Sequence, residues 1–130
     1  MDNLIIEGTK SFPNIMFIPE INKFEISGHS YPQDPIEEYK PVFNWIENNL
    51  GKFKTQKIVF SLKLYYFNSA SNRIILTLLK KIEHFYNSGS NIEIDWYYDD
   101  EEIFNDGKIF ATLVKIPMNF IPLHDYDYNT

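Results

Sequence analysis

Cysteine is absent from this 130-residue chain, and its absence excludes several kinds of site. Disulfide bonds, thiolate metal centres and cysteine nucleophiles all need a residue type that the sequence does not contain. Long hydrophobic runs are also missing, because charged residues interrupt each apolar stretch before it reaches the length of a membrane span. The first seven residues do not resemble a signal peptide. We therefore expect a soluble, cytoplasmic protein that does not bind a membrane.

Positive charge and catalytic motifs are scarce as well. Lys and Arg total 12 against 18 Asp and Glu, which gives a net charge of −6. An acidic surface repels phosphate backbones, so we do not expect nucleic acid as a partner. The chain has only five glycines, no glycine-rich phosphate loop and no nucleophile elbow. These absences predict a non-catalytic protein that needs no cofactor.

Metal ligands are not arranged as a site either. The three histidines, His29, His84 and His124, have no ligand spacing to one another. The acidic residues between Asp95 and Asp106 lack the spacing of a calcium loop. Acids at this position suit the positive end of a helix dipole, so we interpret them as the solvated start of a helix.

The sequence does contain enough apolar residues, 44%, to fold by burial. Strand and helix patterns alternate in the order β-β-β-α-β-α-β-α-β. The predicted strands cover residues 4–7, 14–18, 23–27, 57–67, 91–98 and 118–121. This order predicts an α/β fold with one mixed sheet, an N-terminal hairpin and helices packed on the sheet. We expect one domain over residues 1–123 and a flexible tail over 124–130.

Three local features refine this prediction. The strand at 57–67 is largely apolar on both of its faces, which is expected for a strand near the middle of a covered sheet. The helix that starts at Asp34 contains Pro41, so it either kinks there or begins its regular part there. Gly107 is predicted to be a weak point inside the third helix.

The most informative segment is the hydroxyl-rich stretch 68–71, which joins the long strand to a strongly apolar helix. In open α/β sheets, functional groups gather where strands end and helices begin. A serine at this place has two uses: it can cap the helix, or it can accept a phosphoryl group near the positive helix terminus. We expect Ser71 to cap the helix and Asn68 to shape the turn. Ser69 would then lie free at the tip of the turn.

Four short motifs in register resemble the SiaC family of bacterial phosphoproteins. Tyr66-Phe67-Asn68-Ser69-Ala70-Ser71 is similar to the family's Tyr-Phe-Asn-Thr-Ser-Ser signature. The other three are Ile6-Glu7-Gly8-Thr9-Lys10 followed by Pro13, Ser27-Gly28-His29-Ser30-Tyr31-Pro32, and Trp96-Tyr97-Tyr98-Asp99. The resemblance covers residues 4–122. It implies a fold like that of the anti-sigma-factor antagonists (STAS-like), with the phosphoacceptor at the start of a helix.

The resemblance also implies a partner-switching cycle in biofilm or stress signalling. A cognate serine/threonine kinase would phosphorylate Ser69, where the family has threonine, and a metal-dependent serine phosphatase would reverse the reaction. The output partner in the family's best-known members is a diguanylate cyclase. Residues around the turn are then expected to bind partners: Tyr65, Tyr66, Phe67, Asn68, Ser71, Tyr97 and Tyr98. An alternative is a regulatory domain that binds a small ligand or anion at the helix N-terminus after Ser69.

Overall fold

The computed structural model describes residues 2–53 and 55–123. The predicted tail at 124–130, including His124, lies outside the described residues. The strands are β1 (Leu4–Ile6), β2 (Asn14–Ile18), β3 (Lys23–Ser30), β4 (Ile58–Phe67), β5 (Ile92–Tyr98) and β6 (Met118–Pro122). The α-helices are α1 (Pro35–Glu38), α2 (Lys40–Asn49), α3 (Ser69–Asn87) and α4 (Glu101–Leu113).

The strands form one mixed sheet in which spatial order follows chain order, β1-β2-β3-β4-β5-β6. Strands β1, β2 and β3 pair antiparallel, whereas β3 to β6 pair parallel. The prediction of a mixed sheet with an N-terminal hairpin is confirmed. Each parallel step moves to the next strand in the same direction, and right-handed crossovers then place the helices on the same face.

Within residues 2–53 and 55–123, the helices pack on one face of the sheet, which confirms the prediction of helices packed on a mixed sheet. Along β4, Ile58, Phe60, Leu62 and Leu64 are buried under the helices, whereas the residues between them are half-buried or exposed. The open face carries polar pairs, such as the ion pair between Lys63 and Glu25 at 2.9 Å. The chain-order crossovers place the described helices on one side of β4, although apolar residues occur on both of its sides.

The first predicted helix is divided in two next to Pro41. Asp34 caps α1, as predicted, by accepting a hydrogen bond from the Glu37 amide. Tyr39 lies between the two helices as the C-cap of α1 and the N-cap of α2, and α2 begins at Lys40 with Pro41 in its first turn. Proline is tolerated there because the first-turn amides have no helical acceptor. The break turns the Tyr39 side chain into the core, where it is 1% exposed.

Gly107 does not interrupt α4, contrary to the prediction, and the helix continues through it. A Cβ atom at this position would lie 2.3 Å from Nε1 of Trp96. The Trp96 indole instead packs against the bare helix backbone and donates a 2.9 Å hydrogen bond to the Ile103 carbonyl. The glycine is therefore a packing requirement that joins β5 to α4.

Candidate functional site

The long strand β4 ends in a bulge that exposes two tyrosines. The register between β3 and β4 shifts after Gly28, so that His29 pairs with Tyr66 and Tyr65 is the extra residue. The shift reverses the alternation of faces, which leaves Tyr65 42% and Tyr66 51% exposed and turns Phe67 into the core. The Tyr31 and Tyr66 rings pack edge to face at 5.9 Å. Tyr31, Tyr65 and Tyr66 form what we call the tyrosine patch.

The residue that caps α3 is Asn68, so the prediction that Ser71 caps this helix is wrong. The Asn68 side chain accepts a 2.9 Å hydrogen bond from the Ser71 amide, and its backbone amide donates to the Ser30 carbonyl at 3.2 Å. Asn68 therefore anchors the end of β4 to β3 and starts the helix. The predicted turn over 68–71 is the first turn of α3, and Ser69 is its first helical residue.

Ser71 is 0% exposed and belongs to a buried chain of hydroxyl groups. The Ser30 hydroxyl lies 2.8 Å from that of Ser71 and 2.6 Å from that of Tyr39. Burial raises the pKa of the Tyr39 phenol to about 12, although the hydrogen bond to Ser30 opposes this rise. The three hydroxyls stay neutral and tie β3, the α1–α2 break and α3 together. Ser71 does not contact a partner directly, because no surface of it is accessible.

Ser69 is exposed at the rim of a cleft of about 370 Å³ between α3 and α4. Asn68, Asn72 and Arg73 line the α3 side of this cleft, and Glu102 and Asp106 line the α4 side. Partial burial raises the pKa of the Asp106 carboxyl, and the carboxylates of Glu102 and Asp100 raise it further. The cleft is thus polar and more acidic than basic, and it has room for a phosphoryl group on Ser69.

The other residues expected to bind partners fall into two groups. Phe67 is 8% exposed and packs on Trp96 and Phe110, so most of it belongs to the core, and its remaining surface lines the cleft beside Ser69. Tyr97 is half-buried on the open face, where the Lys63 ammonium lies 4.9 Å from its ring centre. Tyr98 is half-buried and packs on Phe104.

The acidic segment is the start of α4, as predicted. Asp100 caps the helix by accepting a 2.8 Å hydrogen bond from the Ile103 amide, and Glu101 and Glu102 follow in the first turn. Among residues 2–53 and 55–123, no group of three or more histidines and carboxylates has a metal-binding arrangement. In the same ranges, no helix has the length and apolar character needed to cross a bilayer.

Sequence and fold comparisons assign this architecture to a family. A family model described as SiaC family regulatory phosphoprotein matches residues 6–123. The chain belongs to the SiaC family. An uncharacterized protein of Pseudomonas aeruginosa strain UCBPP-PA14 is 28% identical to it over 99 residues, which are 76% of this chain and 78% of the relative.

Solved structures of SiaC itself share the fold. Apo-SiaC from Pseudomonas aeruginosa superposes with a TM-score of 0.83 at 24% identity, covering 93% of this chain and 99% of the other. SiaC in complex with the diguanylate cyclase SiaD, which it activates, superposes with a TM-score of 0.83 at 25% identity, covering 92% and 98%. The resemblance to the SiaC family is confirmed, and this SiaC-family chain is a regulatory protein and not an enzyme.

The cleft is lined by three residues that the sequence predicted, Phe67, Asn68 and Ser69, and by four that it did not, Asn72, Arg73, Glu102 and Asp106. Glu102 and Asp106 lie near Ser69 because α3 and α4 pack side by side, whereas Arg73 lies near it because the two residues are one helical turn apart on α3. The signal available in the sequence was their spacing: Arg73 follows Ser69 by one helical turn, and Asp106 follows Glu102 by one turn.

Proposed function

We propose that this SiaC-family chain is a signalling switch that binds partner proteins according to the phosphorylation state of Ser69. The observation that carries the proposal is the exposed Ser69 hydroxyl at the first residue of α3, beside an open cleft. A kinase active site needs an accessible hydroxyl with space around it. Among the hydroxyls of the 68–71 segment, Ser69 meets this need and Ser71 does not.

The cycle needs a kinase and a phosphatase. The kinase transfers the γ-phosphoryl group of ATP to Ser69 Oγ: the new O–P bond forms, the bond between the β–γ bridging oxygen and the γ-phosphorus breaks, the hydroxyl proton passes to the kinase base and ADP leaves. A metal-dependent serine phosphatase reverses the modification by hydrolysis. Water attacks phosphorus, the Oγ–P bond breaks, the serine oxygen regains a proton and inorganic phosphate leaves.

We further propose a diguanylate cyclase as the output partner, in biofilm-related signalling. The support comes from the Pseudomonas SiaC that activates the cyclase SiaD and has the same fold over nearly its whole length. The unphosphorylated surface would be the binding form. A phosphate adds about −1.5 to −2 charges to a site that already carries Glu102 and Asp106, and this added charge would disrupt a docked partner.

The docking surface that we propose comprises Asn68, the tyrosine patch and the half-buried rings of Tyr97 and Tyr98. Exposed tyrosines combine a large apolar ring with a polar end, which makes them frequent anchors at interfaces. Phe67 and Ser71 hold this surface in place from the core. The alternative of a free anion or small acidic ligand is less well supported, because Glu102 and Asp106 would repel it from the cleft beside Ser69.

Site mapping by mass spectrometry tests the proposal. The protein is incubated with its cognate kinase and ATP, digested and sequenced by tandem fragmentation. We expect one phosphate, on Ser69. Ser69→Ala should abolish the modification with an unchanged circular dichroism spectrum, and Ser69→Thr, the matched control, should retain it. Phosphate on another residue, or none on folded protein, would refute the assignment.

A further inference from the structure

Arg73 is the only arginine in the sequence, and it lies one helical turn after Ser69 on α3. Its side chain is exposed and lines the same cleft as Ser69. Within the part of the chain that the structure describes, every ion pair is made by a lysine, and the Arg73 guanidinium has no ion pair or hydrogen bond. A free guanidinium is thus available beside the proposed modification site.

The spacing of the two residues permits direct contact. Side chains at positions i and i+4 of a helix are neighbours, with Cβ atoms about 5–6 Å apart. The arginine side chain is long enough to reach a phosphate on the serine one turn earlier. Its planar guanidinium can donate two parallel hydrogen bonds to phosphate oxygens. Phosphoserine at 69 and arginine at 73 can therefore pair without any movement of the helix backbone.

The opposite wall of the cleft carries negative charge that disfavours an unpaired phosphate. Glu102 and Asp106 line that wall on α4, and Asp100 is close enough to perturb Asp106. A phosphate placed among these carboxylates is destabilised by like-charge repulsion. Arg73 is the one cation among the residues that line the cleft, so it is the group that can offset the repulsion.

We propose that Arg73 is the receptor for the phosphoryl group of phosphorylated Ser69. This inference rests on the proposed function and adds which residue of the chain binds the phosphate. Arg73 also lines a second depression, an apolar groove of about 390 Å³ between α3 and the α1–α2 pair that includes Ile36, Phe43 and Ile74. Phosphorylation draws the guanidinium towards Ser69 and away from this groove. Phosphorylation of Ser69 then has two effects: it adds negative charge to the cleft, and it removes the Arg73 guanidinium from the rim of the apolar groove.

Phosphorus NMR tests the inference without the kinase. Phosphoserine is incorporated at position 69 during translation by codon reassignment, and the pKa of its second ionisation is measured from the ³¹P shift. That pKa is about 6 in an unperturbed phosphoserine. A contacting cation favours the dianion, so we expect Arg73→Gln to raise the pKa by about half a pH unit. Arg73→Lys should restore part of the difference, and Glu102→Gln should shift the pKa in the opposite direction.

Lys115→Gln is the matched charge control. Lys115 is exposed and precedes β6, at the edge of the parallel strands opposite to Ser69. This variant should leave the ³¹P titration unchanged. If Arg73→Gln shifts the pKa no more than Lys115→Gln does, the inference is wrong. Because phosphate is installed by translation, failure of a kinase to modify Ser69 would overturn the proposed function and leave this measurement intact.

Discussion

At the residue scale, the buried hydroxyls of Ser30, Tyr39 and Ser71 decide how the start of α3 is held. Ser30 ends β3, Tyr39 lies at the break between α1 and α2, and Ser71 is in the first turn of α3. A buried polar group that loses its partner costs about 1–3 kcal/mol. The chain of hydroxyls therefore fixes one relative position of these elements at the first turn of α3, which also contains Ser69.

Removing the Tyr39 hydroxyl should weaken the fold with little change in shape. Tyr39→Phe keeps the ring packing on Phe12 and Phe43 but takes one partner from Ser30. We expect the free energy of unfolding, measured by urea denaturation at pH 7, to fall by about 1 kcal/mol. Tyr65→Phe, which removes an exposed hydroxyl from β4, is the control and should change it by less than about 0.5 kcal/mol.

The raised pKa of the Tyr39 phenol predicts that the free energy of unfolding falls at high pH. Its pKa is 10.0 in an ordinary environment and about 12 in the folded protein, so the unfolded chain loses this proton first. The stability contribution is complete below pH 10 and declines as pH rises through about 12. The stability difference between wild type and Tyr39→Phe, measured by urea denaturation at each pH, should shrink over this interval and then reverse. A constant difference would show that the phenol does not titrate as described.

Gly107 gives a third prediction at this scale. Alanine is the better helix former by about 1 kcal/mol in an exposed helix, but a Cβ here would collide with the Trp96 indole. We expect Gly107→Ala to lower the free energy of unfolding by about 1–3 kcal/mol, as overpacking does. Asn105→Ala, at an exposed position of the same helix, should be neutral or stabilising. A more stable Gly107→Ala variant would contradict the packing that we describe.

At the scale of elements, the junction of β4 and α3 is the functional unit. A bulge at Tyr65 ends the regular strand, Asn68 caps the helix, and Ser69 is thereby presented as the first helical residue. The bulge acts on the β4 side of the junction, and the cap acts on the α3 side. The bulge exposes the tyrosine patch, and the cap determines where the proposed phosphoacceptor lies.

Loss of the cap should loosen this junction selectively. Asn68→Ala removes the hydrogen bond to the Ser71 amide, and removal of a capping side chain costs about 1 kcal/mol. We expect faster hydrogen exchange at the first amides of α3, while β5 and α4 keep their protection. Asn72→Ala, one turn further along, is the control and should leave those rates unchanged. Unchanged exchange in Asn68→Ala would show that another group starts the helix.

Sequence reasoning worked well for elements and less well for their junctions. Hydrophobic periodicity is a local property, so it located the strands and helices to within a few residues. It could not distinguish Asn68 from Ser71 as the cap, because both residue types favour that position. Tertiary structure determines which residue caps α3. The Ser71 side chain lies in the core with Ser30 and Tyr39, so the Asn68 side chain accepts the hydrogen bond from the Ser71 amide.

At the scale of the whole molecule, chain-order strand pairing explains the separation of surfaces. The helices occupy one face, and no other described element covers the opposite face, which carries polar pairs such as Lys57 with Glu93 at 2.6 Å. Composition alone could not predict this, since the apolar residues on both sides of β4 are equally consistent with a sheet covered on both faces. The family resemblance, by contrast, was already visible in four motifs, because they mark the junctions at the site edge of the sheet.

Control of partner binding by the phosphorylation state of Ser69 is a proposal that calorimetry can test. Its most direct test is isothermal titration calorimetry of a partner diguanylate cyclase against this chain with serine, and separately phosphoserine, at position 69. The account predicts binding of the serine form and at least about tenfold weaker binding of the phosphoserine form, a difference of about 1.4 kcal/mol. Equal affinities for the two forms would contradict it.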